Sequence, residues 1–382
     1  MNKWILLILS LFLLSACEKD EPVPDVQVSE RTVLVWLAGD NNLYSEVPHK
    51  LSALAEGFRN AAPEDCRLLV YADRRGNYPQ LIEILPDGNQ SVLETYPAQN
   101  SASPETFSRF LNYMIEAAPA KRYGLIVFSH ATGWLPQGAL ENPTLEQKPL
   151  SRTVFDDNGE QMTLAELADA LPADVWFDYI VFENCFMGGA EVAYALRDKA
   201  DRLLVSSAEI LSPGFEEIYS SSLYRLFAPT PDLSGFAADY YNYRNAKSGN
   251  HRSATVSVIN TSAMPQLASL TSEIIGGTSI DGIGPLDEER LKTMQRFNRH
   301  DYTLFFDLEE YLHELAPDRA TEIRTAISEA VEYAAATADF MPTYDHGFHI
   351  ARHCGLTVYI PQSPFPALNA AYTETAWYRA TR

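Results

Sequence analysis

The stretch TVLVWLA at residues 32–38 is the part of the sequence that decides the fold class. It is a continuous apolar run rich in residues that favour β-structure, as expected of a strand buried on both faces of a parallel sheet. A strand with one face in water would instead alternate apolar and polar residues. The run ends in GDNN at residues 39–42, which is typical of a turn.

Further apolar runs follow, and segments with helical spacing lie between them. We predict strands over residues 67–72, 80–85, 123–129, 179–182 and 202–206. We predict helices over residues 45–60, 103–118, 163–171 and 189–199. This alternation is typical of an α/β fold, in which helices cover both faces of a mostly parallel sheet.

The second half of the chain is more helical. Its spacing predicts helices over residues 234–245, 263–275, 287–295, 304–316 and 319–336. Strands are predicted over residues 254–259 and 355–360. The polar segment 142–159 has no clear period, so we interpret it as a long loop.

The composition and charge of the chain limit what it can bind. The 382 residues, 46% of them hydrophobic, suffice for two domains or for one large domain with an elaborated second half. The formal net charge is −22, so the surface repels nucleic acid, and we predict no nucleic-acid partner. The same charge would draw cationic substrates toward the protein.

The N-terminus has the pattern of an export signal. A positive start at Met1–Lys3 precedes an apolar run over residues 4–16, which is too short to span a membrane comfortably. The run ends in LSAC at residues 14–17, which resembles a lipobox, so Cys17 is the predicted site of lipidation. Residues 18–30 are interpreted as a flexible tether. We therefore expect a bacterial outer-membrane lipoprotein facing the cell surface or the periplasm, with an ordinary secretory signal as the alternative.

Cys66, Cys185 and Cys354 remain once the export signal is set aside. An odd number of cysteines in an exported protein argues for at least one free thiol. Cys66 and Cys354 could pair, and the sequence leaves that question open.

His130 and Cys185 each follow a predicted buried strand. Parallel sheets place their chemistry at the carboxyl ends of strands, so we expect the two side chains at a shared site. Either residue alone has an ordinary structural explanation, since free cysteines are often core residues. The pair is more informative, because the histidine precedes the cysteine by 185 − 130 = 55 residues, close to the order and spacing found in caspases.

Four segments, in intact order, form one set of motifs. They are VLVWLAGDNNL at residues 33–43, SHATGW at 129–134, ENCFMGGAEVAY at 183–194 and GLTVYIP at 355–361. This set resembles the opening strand, the histidine motif, the cysteine motif and the closing strand of the clostripain family of cysteine peptidases, which are relatives of caspases. The likeness covers nearly all of the chain after the tether.

The resemblance implies a caspase-like α/β/α sandwich with cysteine endopeptidase activity. Carried onto this sequence, it makes Cys185 the nucleophile and His130 its acid and base partner. It also implies that the backbone N–H groups of Cys185 and Ala131 hold the oxyanion. The implied domains are a catalytic domain over residues 31–220 and a helical region over residues 221–382 that returns a strand to the fold.

Two positions depart from the family pattern, since Ala131 replaces a glycine and Glu183 replaces an aspartate. The family typically cleaves after arginine or lysine through an acidic group in the S1 pocket. The resemblance therefore makes Glu183, Glu216 and Glu217 candidate substrate-binding residues, with Glu209 as a further candidate. For Glu216 and Glu217, ordinary solvation is the alternative.

The resemblance also bears on activation and cofactors. Family members are often activated by self-cleavage between the histidine and the cysteine, and Lys148 and Arg152 lie in the polar loop there. This sequence has no Asp-rich loop of the EF-hand kind, so we predict no metal site and no cofactor, and calcium stays open only because some members of the family respond to it.

The expected partners follow from the same interpretation. We expect a monomer that acts on protein or peptide substrates and is held at the membrane through its N-terminal lipid. A non-catalytic surface lipoprotein of the same fold, which binds peptide or glycan, is the alternative that the departures at Ala131 and Glu183 favour.

Overall fold

The structure is a computed structural model that describes residues 27–144, 154–157, 159–276 and 286–382. Within them the strands are β1 (Ser29–Gly39), β2 (Cys66–Arg74), β3 (Gln80–Ile84), β4 (Gln90–Thr95), β5 (Ala120–Phe128), β6 (Phe155–Asp157), β7 (Glu160–Met162), β8 (Phe177–Glu183), β9 (Ala200–Val205), β10 (Thr255–Asn260), β11 (Phe306–Asp307), β12 (Val331–Ala336), β13 (Asp339–Phe340), β14 (Phe348–His349) and β15 (Thr357–Val358).

The helices of the same residues all carry buried residues, as expected of elements that pack on a sheet. They are α1 (Glu46–Ala61), α2 (Pro104–Ala117), α3 (Leu164–Ala170), α4 (Ala190–Ala195), α5 (Glu216–Ser222), α6 (Tyr224–Phe227), α7 (Leu233–Asn245), α8 (Met264–Ile275), α9 (Glu288–Thr293), α10 (Leu308–Leu315), α11 (Ala320–Ala330), α12 (Pro366–Thr373) and α13 (Ala376–Thr381).

Nine of the described strands form one central sheet, in the order β12-β10-β9-β8-β5-β1-β2-β3-β4. The central strands from β9 to β2 run parallel to one another. At one edge β10 and β12 are antiparallel, and at the other edge β3 and β4 are antiparallel. The predicted α/β fold with a mostly parallel sheet is therefore confirmed.

Each face of the sheet carries its own hydrophobic core. In β1, Leu34 and Trp36 belong to one core, and Val33 and Val35 belong to the other, as the two-residue period of a strand requires. Helices α1, α5, α6 and α7 cover the second core, while α2, α3, α4 and α8 contribute to the first. Both faces of β1 are buried, which explains its continuous apolar run.

The predicted helix over residues 319–336 is wrong in its last part. Helix α11 ends at Ala330, and Val331–Ala336 forms β12, which pairs antiparallel with β10 at the edge of the sheet. The alanines of this segment favour helix locally, but pairing with a neighbouring strand overrides that weak preference.

The predicted closing strand over residues 355–360 is shorter than expected and lies outside the central sheet. Only Thr357–Val358 forms a strand, and it pairs with β11. Thr357 also forms a parallel bridge to Gly189, which lies within the cysteine motif. In the described part of the predicted loop 142–159, Phe155–Asp157 forms a hairpin with β7.

The cysteines and the helices of the described residues answer two further questions. Cys66, Cys185 and Cys354 are free thiols, so the pairing of Cys66 with Cys354 that the sequence left open is not made in this structure. In the part of the chain that the structure describes, no helix combines the length and the apolar character needed to cross a membrane.

Candidate active site

The sheet places His130 and Cys185 side by side at the carboxyl ends of two central strands. Strands β5 and β8 are parallel neighbours, and their last residues, Phe128 and Glu183, face each other in the register. His130 comes two residues after Phe128, and Cys185 comes two residues after Glu183. Both side chains line a cleft of about 420 Å³. The structure thus places together the two reactive residues that the sequence singled out.

Close contacts hold the two loops that carry these residues. Asn184 donates a hydrogen bond from Nδ2 to the carbonyl oxygen of Ser129 at 3.0 Å. Gly133 has a φ of +64°, and a β-carbon there would lie 2.6 Å from the carbonyl oxygen of Phe186. Only glycine tolerates both the φ and this approach of backbone to backbone. Phe186 in turn stacks on Phe305, with ring centroids 4.7 Å apart.

The imidazole of His130 is turned toward Asn42, whose Oδ1 accepts a hydrogen bond from Nε2. Among the described residues, His130 has no hydrogen bond to Cys185. Burial lowers the pKa of His130 from its ordinary 6.5, and the charges of Asp156 and Glu46 oppose that shift. The imidazole is therefore neutral near pH 7, with its proton on Nε2.

The thiol of Cys185 is protonated in this conformation. Burial, and then the negative charge of Glu209, raise its pKa to about 12. The N–H of Ile210, which donates to Sγ at 3.4 Å, and the charge of Arg299 act in the opposite direction. Because the thiolate is the nucleophilic form, Cys185 is not poised to attack in this arrangement.

The backbone beside Cys185 offers hydrogen-bond donors. Among the described residues, the N–H groups of Cys185 and Ala131 have no hydrogen-bond partner, whereas the N–H of Phe186 donates to the carbonyl oxygen of Ala208 at 3.1 Å. The methyl group of Ala131 is buried and leaves its N–H in place. Free donors next to a nucleophile are the arrangement that stabilises a tetrahedral oxyanion.

Glu183 does not fit its predicted role as a free carboxylate for the substrate. Its Oε1 lies 2.6 Å from the Nζ of Lys50, and both side chains are buried. The same carboxylate accepts hydrogen bonds from the hydroxyl of Tyr219 at 2.8 Å and from the N–H of Phe215 at 2.5 Å. Its charge is therefore balanced within the protein, and its oxygens are already occupied.

The other predicted acidic residues lie in different surroundings. Glu217 forms an ion pair with the buried Arg244, 3.0 Å from Oε2 to Nε, so its carboxylate is also engaged. Glu216 is half-buried, and burial raises its pKa. Glu209 lines the cleft beside the nucleophile but is paired with Arg299 at 2.9 Å.

Sequence reasoning missed Asn42, Glu46 and Lys50 as site residues. Asn42 lies in the turn after β1, which already formed part of the motif set, so that turn carried a usable signal. Glu46 and Lys50 lie in the first part of α1, where charged residues at helical spacing look like a solvated face. Nothing in the local sequence shows that the Lys50 side chain is buried.

Three predicted residues, Lys148, Arg152 and Cys17, lie outside the described residues. Within those that are described, no group of three or more His, Cys, Asp and Glu side chains is arranged to hold a metal ion.

The described chain resumes next to the candidate site after its interruption at residues 145–153. The carbonyl oxygen of Val154 accepts a hydrogen bond from Asn184 Nδ2 at 3.3 Å. The N–H of Asp156 donates to Ser129 Oγ at 3.1 Å, and the carbonyl oxygen of Asp156 accepts from Asn41 Nδ2 at 2.8 Å. This segment therefore ties the ends of β1, β5 and β8 together.

Known proteins resemble the chain in sequence. The sequence model of the clostripain family matches residues 35–334. Clostripain from Hathewaya histolytica is 26% identical over an alignment of 217 residues, and the match covers 48% of this chain. The match spans only 40% of the length of that relative.

Solved structures resemble the chain over almost its whole length. An inactive zymogen of a C11 protease from Parabacteroides distasonis is 30% identical, with a TM-score of 0.80, covering 93% of this chain and 99% of that one. A secreted C11 cysteine protease from Bacteroides thetaiotaomicron is 25% identical, with a TM-score of 0.81, covering 93% and 100%. The structure of a secreted C11 cysteine protease of the same organism with an irreversible peptide inhibitor has a TM-score of 0.78 at 25% identity, covering 92% and 99%. Since the family match includes most of the sequence, this chain belongs to the clostripain family of cysteine endopeptidases.

Proposed function

We propose that this chain cleaves peptide bonds through a dyad of Cys185 and His130. The observation that supports the proposal best is that thiol and imidazole line one cleft beside two backbone N–H groups without partners among the described residues. A nucleophile, an acid and base, and donors for the oxyanion are what thiol-based peptide cleavage requires.

The proposed reaction has two halves. His130 takes the proton of Cys185, and Sγ attacks the carbonyl carbon of the scissile bond while the N–H groups of Cys185 and Ala131 hold the oxyanion. His130 then gives its proton to the leaving amine as the C–N bond breaks, which leaves a thioester on Cys185. Water, deprotonated by His130, attacks the thioester, and the acid product leaves as the thiol regains a proton.

We infer that the described conformation is a precursor, activated by self-cleavage after Lys148 or Arg152. Its support is the raised pKa of Cys185 and the rotation of His130 toward Asn42, which together leave the dyad unengaged. A cut after Lys148 or Arg152 would let the chain beside the cleft change position, because the segment that follows the cut contacts the ends of three strands.

The same proposal includes cleavage after arginine or lysine. Its support is electrostatic, since the net charge of the chain is −22 and carboxylates line both the cleft and a smaller cavity that Cys185 and His130 also line. An anionic site attracts a cationic side chain more strongly when partly shielded from water. We also propose that the chain is anchored to the bacterial outer membrane through a lipid on Cys17, on the strength of the LSAC motif at residues 14–17.

The first experiment compares the full-length wild type with Cys185→Ala and His130→Ala on fluorogenic peptides ending in Arg, Lys, Ala or Asp. Each protein is assayed before and after a limited trypsin nick near Lys148 and Arg152. We expect cleavage after Arg and Lys by the wild type alone, and faster cleavage once the chain is cut. Absence of cleavage by nicked wild type would instead favour a non-catalytic lipoprotein that binds peptide or glycan.

Thiol alkylation tests the precursor state separately. Because the pKa of Cys185 is about 12, iodoacetamide should modify it slowly at pH 7 and faster as the pH rises. The rate at neutral pH should increase after cleavage in the loop, and mass spectrometry distinguishes Cys185 from Cys66 and Cys354. Equal rates before and after cleavage would contradict the precursor interpretation.

A further inference from the structure

A small cavity of about 80 Å³ adjoins the candidate nucleophile. Cys185 and His130 line it together with Glu183, and α1 contributes Glu46 and Lys50. Under the proposed function, on which this inference rests, the substrate side chain before the scissile bond would enter a cavity in this position. The charged side chains of the cavity would then decide which residue is accepted there.

Glu183 is poorly placed to select a cation. Lys50 donates to it at 2.6 Å, and Tyr219 and the backbone of Phe215 supply two further hydrogen bonds. Lys50 is held in place by a second hydrogen bond to the carbonyl oxygen of Pro213 at 2.7 Å. A substrate cation would have to displace a buried internal partner before it could reach this carboxylate.

Glu46 is the other carboxylate of the cavity, and its surroundings differ. Its Oε2 lies 3.7 Å from Lys50 Nζ, which is beyond hydrogen-bond distance, and its side chain is 16% exposed. Within the described ranges its carboxylate has no hydrogen-bond donor. Glu46 lines the same cavity as His130 and Cys185, so its charge acts on both members of the dyad.

The charges of the cavity still favour a cation. Glu46 and Glu183 contribute −2 and Lys50 contributes +1, so the charged groups of the lining sum to −1 while His130 is neutral. Lys50 cancels the charge of the deeper carboxylate and leaves Glu46 as the anionic group with free hydrogen-bonding capacity. A carboxylate in this state binds an ammonium or guanidinium group through charge-assisted hydrogen bonds.

We propose that Glu46, and not Glu183, is the residue that selects a basic side chain on the substrate. Glu46 lies at the start of α1, next to the cavity and the dyad, and accepts hydrogen bonds from the lysine or arginine of the substrate. Glu183 serves to fix Lys50 and the loop that begins at Pro213. The specificity of this chain therefore depends on a residue outside the histidine and cysteine motifs.

The test compares Glu46→Gln with wild type on matched peptides that end in arginine or in citrulline, its neutral isostere. Glu56→Gln is the matched control, since Glu56 is an exposed residue of the same helix. We expect Glu46→Gln to lose at least about 10-fold in kcat/KM on arginine peptides, mainly through KM, and to change little on citrulline. Glu46→Asp should recover part of the arginine preference, and Glu56→Gln should match wild type.

Each outcome is distinguishable. If Glu46→Gln keeps the arginine-to-citrulline ratio of wild type, Glu46 is not the selector and the inference is wrong. If Glu183→Gln loses that ratio while Glu46→Gln keeps it, the selector is Glu183. If nicked wild type cleaves neither peptide but cleaves one ending in Ala or Asp, the enzyme stands and the basic preference is wrong. If it cleaves no peptide at all, the proposed function itself is wrong.

Discussion

The ammonium group of Lys50 lies 2.6 Å from the carboxylate of Glu183, and the two side chains are 0% and 1% exposed. Lys50 Nζ also lies over the ring of Phe128, 4.2 Å from its centroid. An ion pair buried this completely adds little net stability, because desolvation offsets the attraction. Removing one partner, however, leaves the other as an uncompensated charge in the interior.

We therefore expect Lys50→Met to lower the free energy of unfolding by about 3–5 kcal/mol. The reason is that the Glu183 carboxylate stays buried without its counter-ion. The measurement is urea denaturation followed by circular dichroism. The double variant Lys50→Met/Glu183→Gln should recover most of the loss, since the glutamine oxygen can still accept from the N–H of Phe215 while its NH2 group donates to the hydroxyl oxygen of Tyr219. Equal stability of the single and double variants would contradict this account of the pair.

Asn42 holds the imidazole of His130 in the orientation that leaves the dyad unengaged, so Asn42→Ala should free the ring and raise kcat of the uncut chain with little change in KM. Asn42→Asp should behave differently, because a carboxylate beside the ring stabilises its protonated form and raises the pKa of His130. The acid limb of the rate against pH should then move to higher pH. A profile for Asn42→Asp that coincides with wild type would show that the side chain at this position does not act on His130.

Gly133→Ala should reduce activity sharply while the sheet remains folded. Its β-carbon would lie 2.6 Å from the carbonyl oxygen of Phe186, so the loop of His130 must move away from the loop of Cys185. Gly249→Ala is the matched control, since Gly249 also has a positive φ, at +57°, with open space around its β-carbon position. Both substitutions cost about 1–3 kcal/mol of backbone strain, but only the first should abolish cleavage.

Glu191 makes the stability of the fold depend on pH. Burial raises its pKa from 4.5 to about 7, against the opposing hydrogen bond from the N–H of Tyr359. Because the folded pKa is the higher one, the stabilising effect is complete below about pH 4.5 and is lost as the pH rises through about 7. Its upper bound is about 3 kcal/mol.

Glu191→Gln should therefore flatten the fall in unfolding free energy between pH 5 and pH 8, as measured by urea denaturation at each pH. Some slope should remain, since burial also raises the pKa of Asp73 to about 7 and of Asp307 to about 6. A slope equal to that of wild type would show that Glu191 stays ionised in the folded chain.

The sequence predicts most of the parallel core, because strands buried on both faces carry apolar runs that few other elements show. Ser103 before Pro104 likewise marks the start of α2, and its side chain accepts from the N–H of Thr106. The strand Val331–Ala336 was missed for a physical reason. An alanine-rich edge strand carries no local signal, and its structure is decided by pairing with β10.

For the candidate site, the sequence predicts which two reactive side chains lie together, but not how the charged residues around them pair. His130 and Cys185 follow from strand ends and motif order, which are local features of the sequence. The pairing of Lys50 with Glu183 is not local, since 133 positions separate the two residues. Sequence alone can identify an acid near a nucleophile, but whether that acid is free depends on which distant cation the fold brings to it.

The sheet order has a consequence for the cut chain. β5 precedes the predicted cleavage sites and β8 follows them, yet the two strands are hydrogen-bonded neighbours in the middle of the sheet. Strands on both sides of the cut also share each hydrophobic core. Two polypeptides produced by cleavage after Lys148 or Arg152 would thus remain one particle: they would elute together from a sizing column and separate only in denaturant.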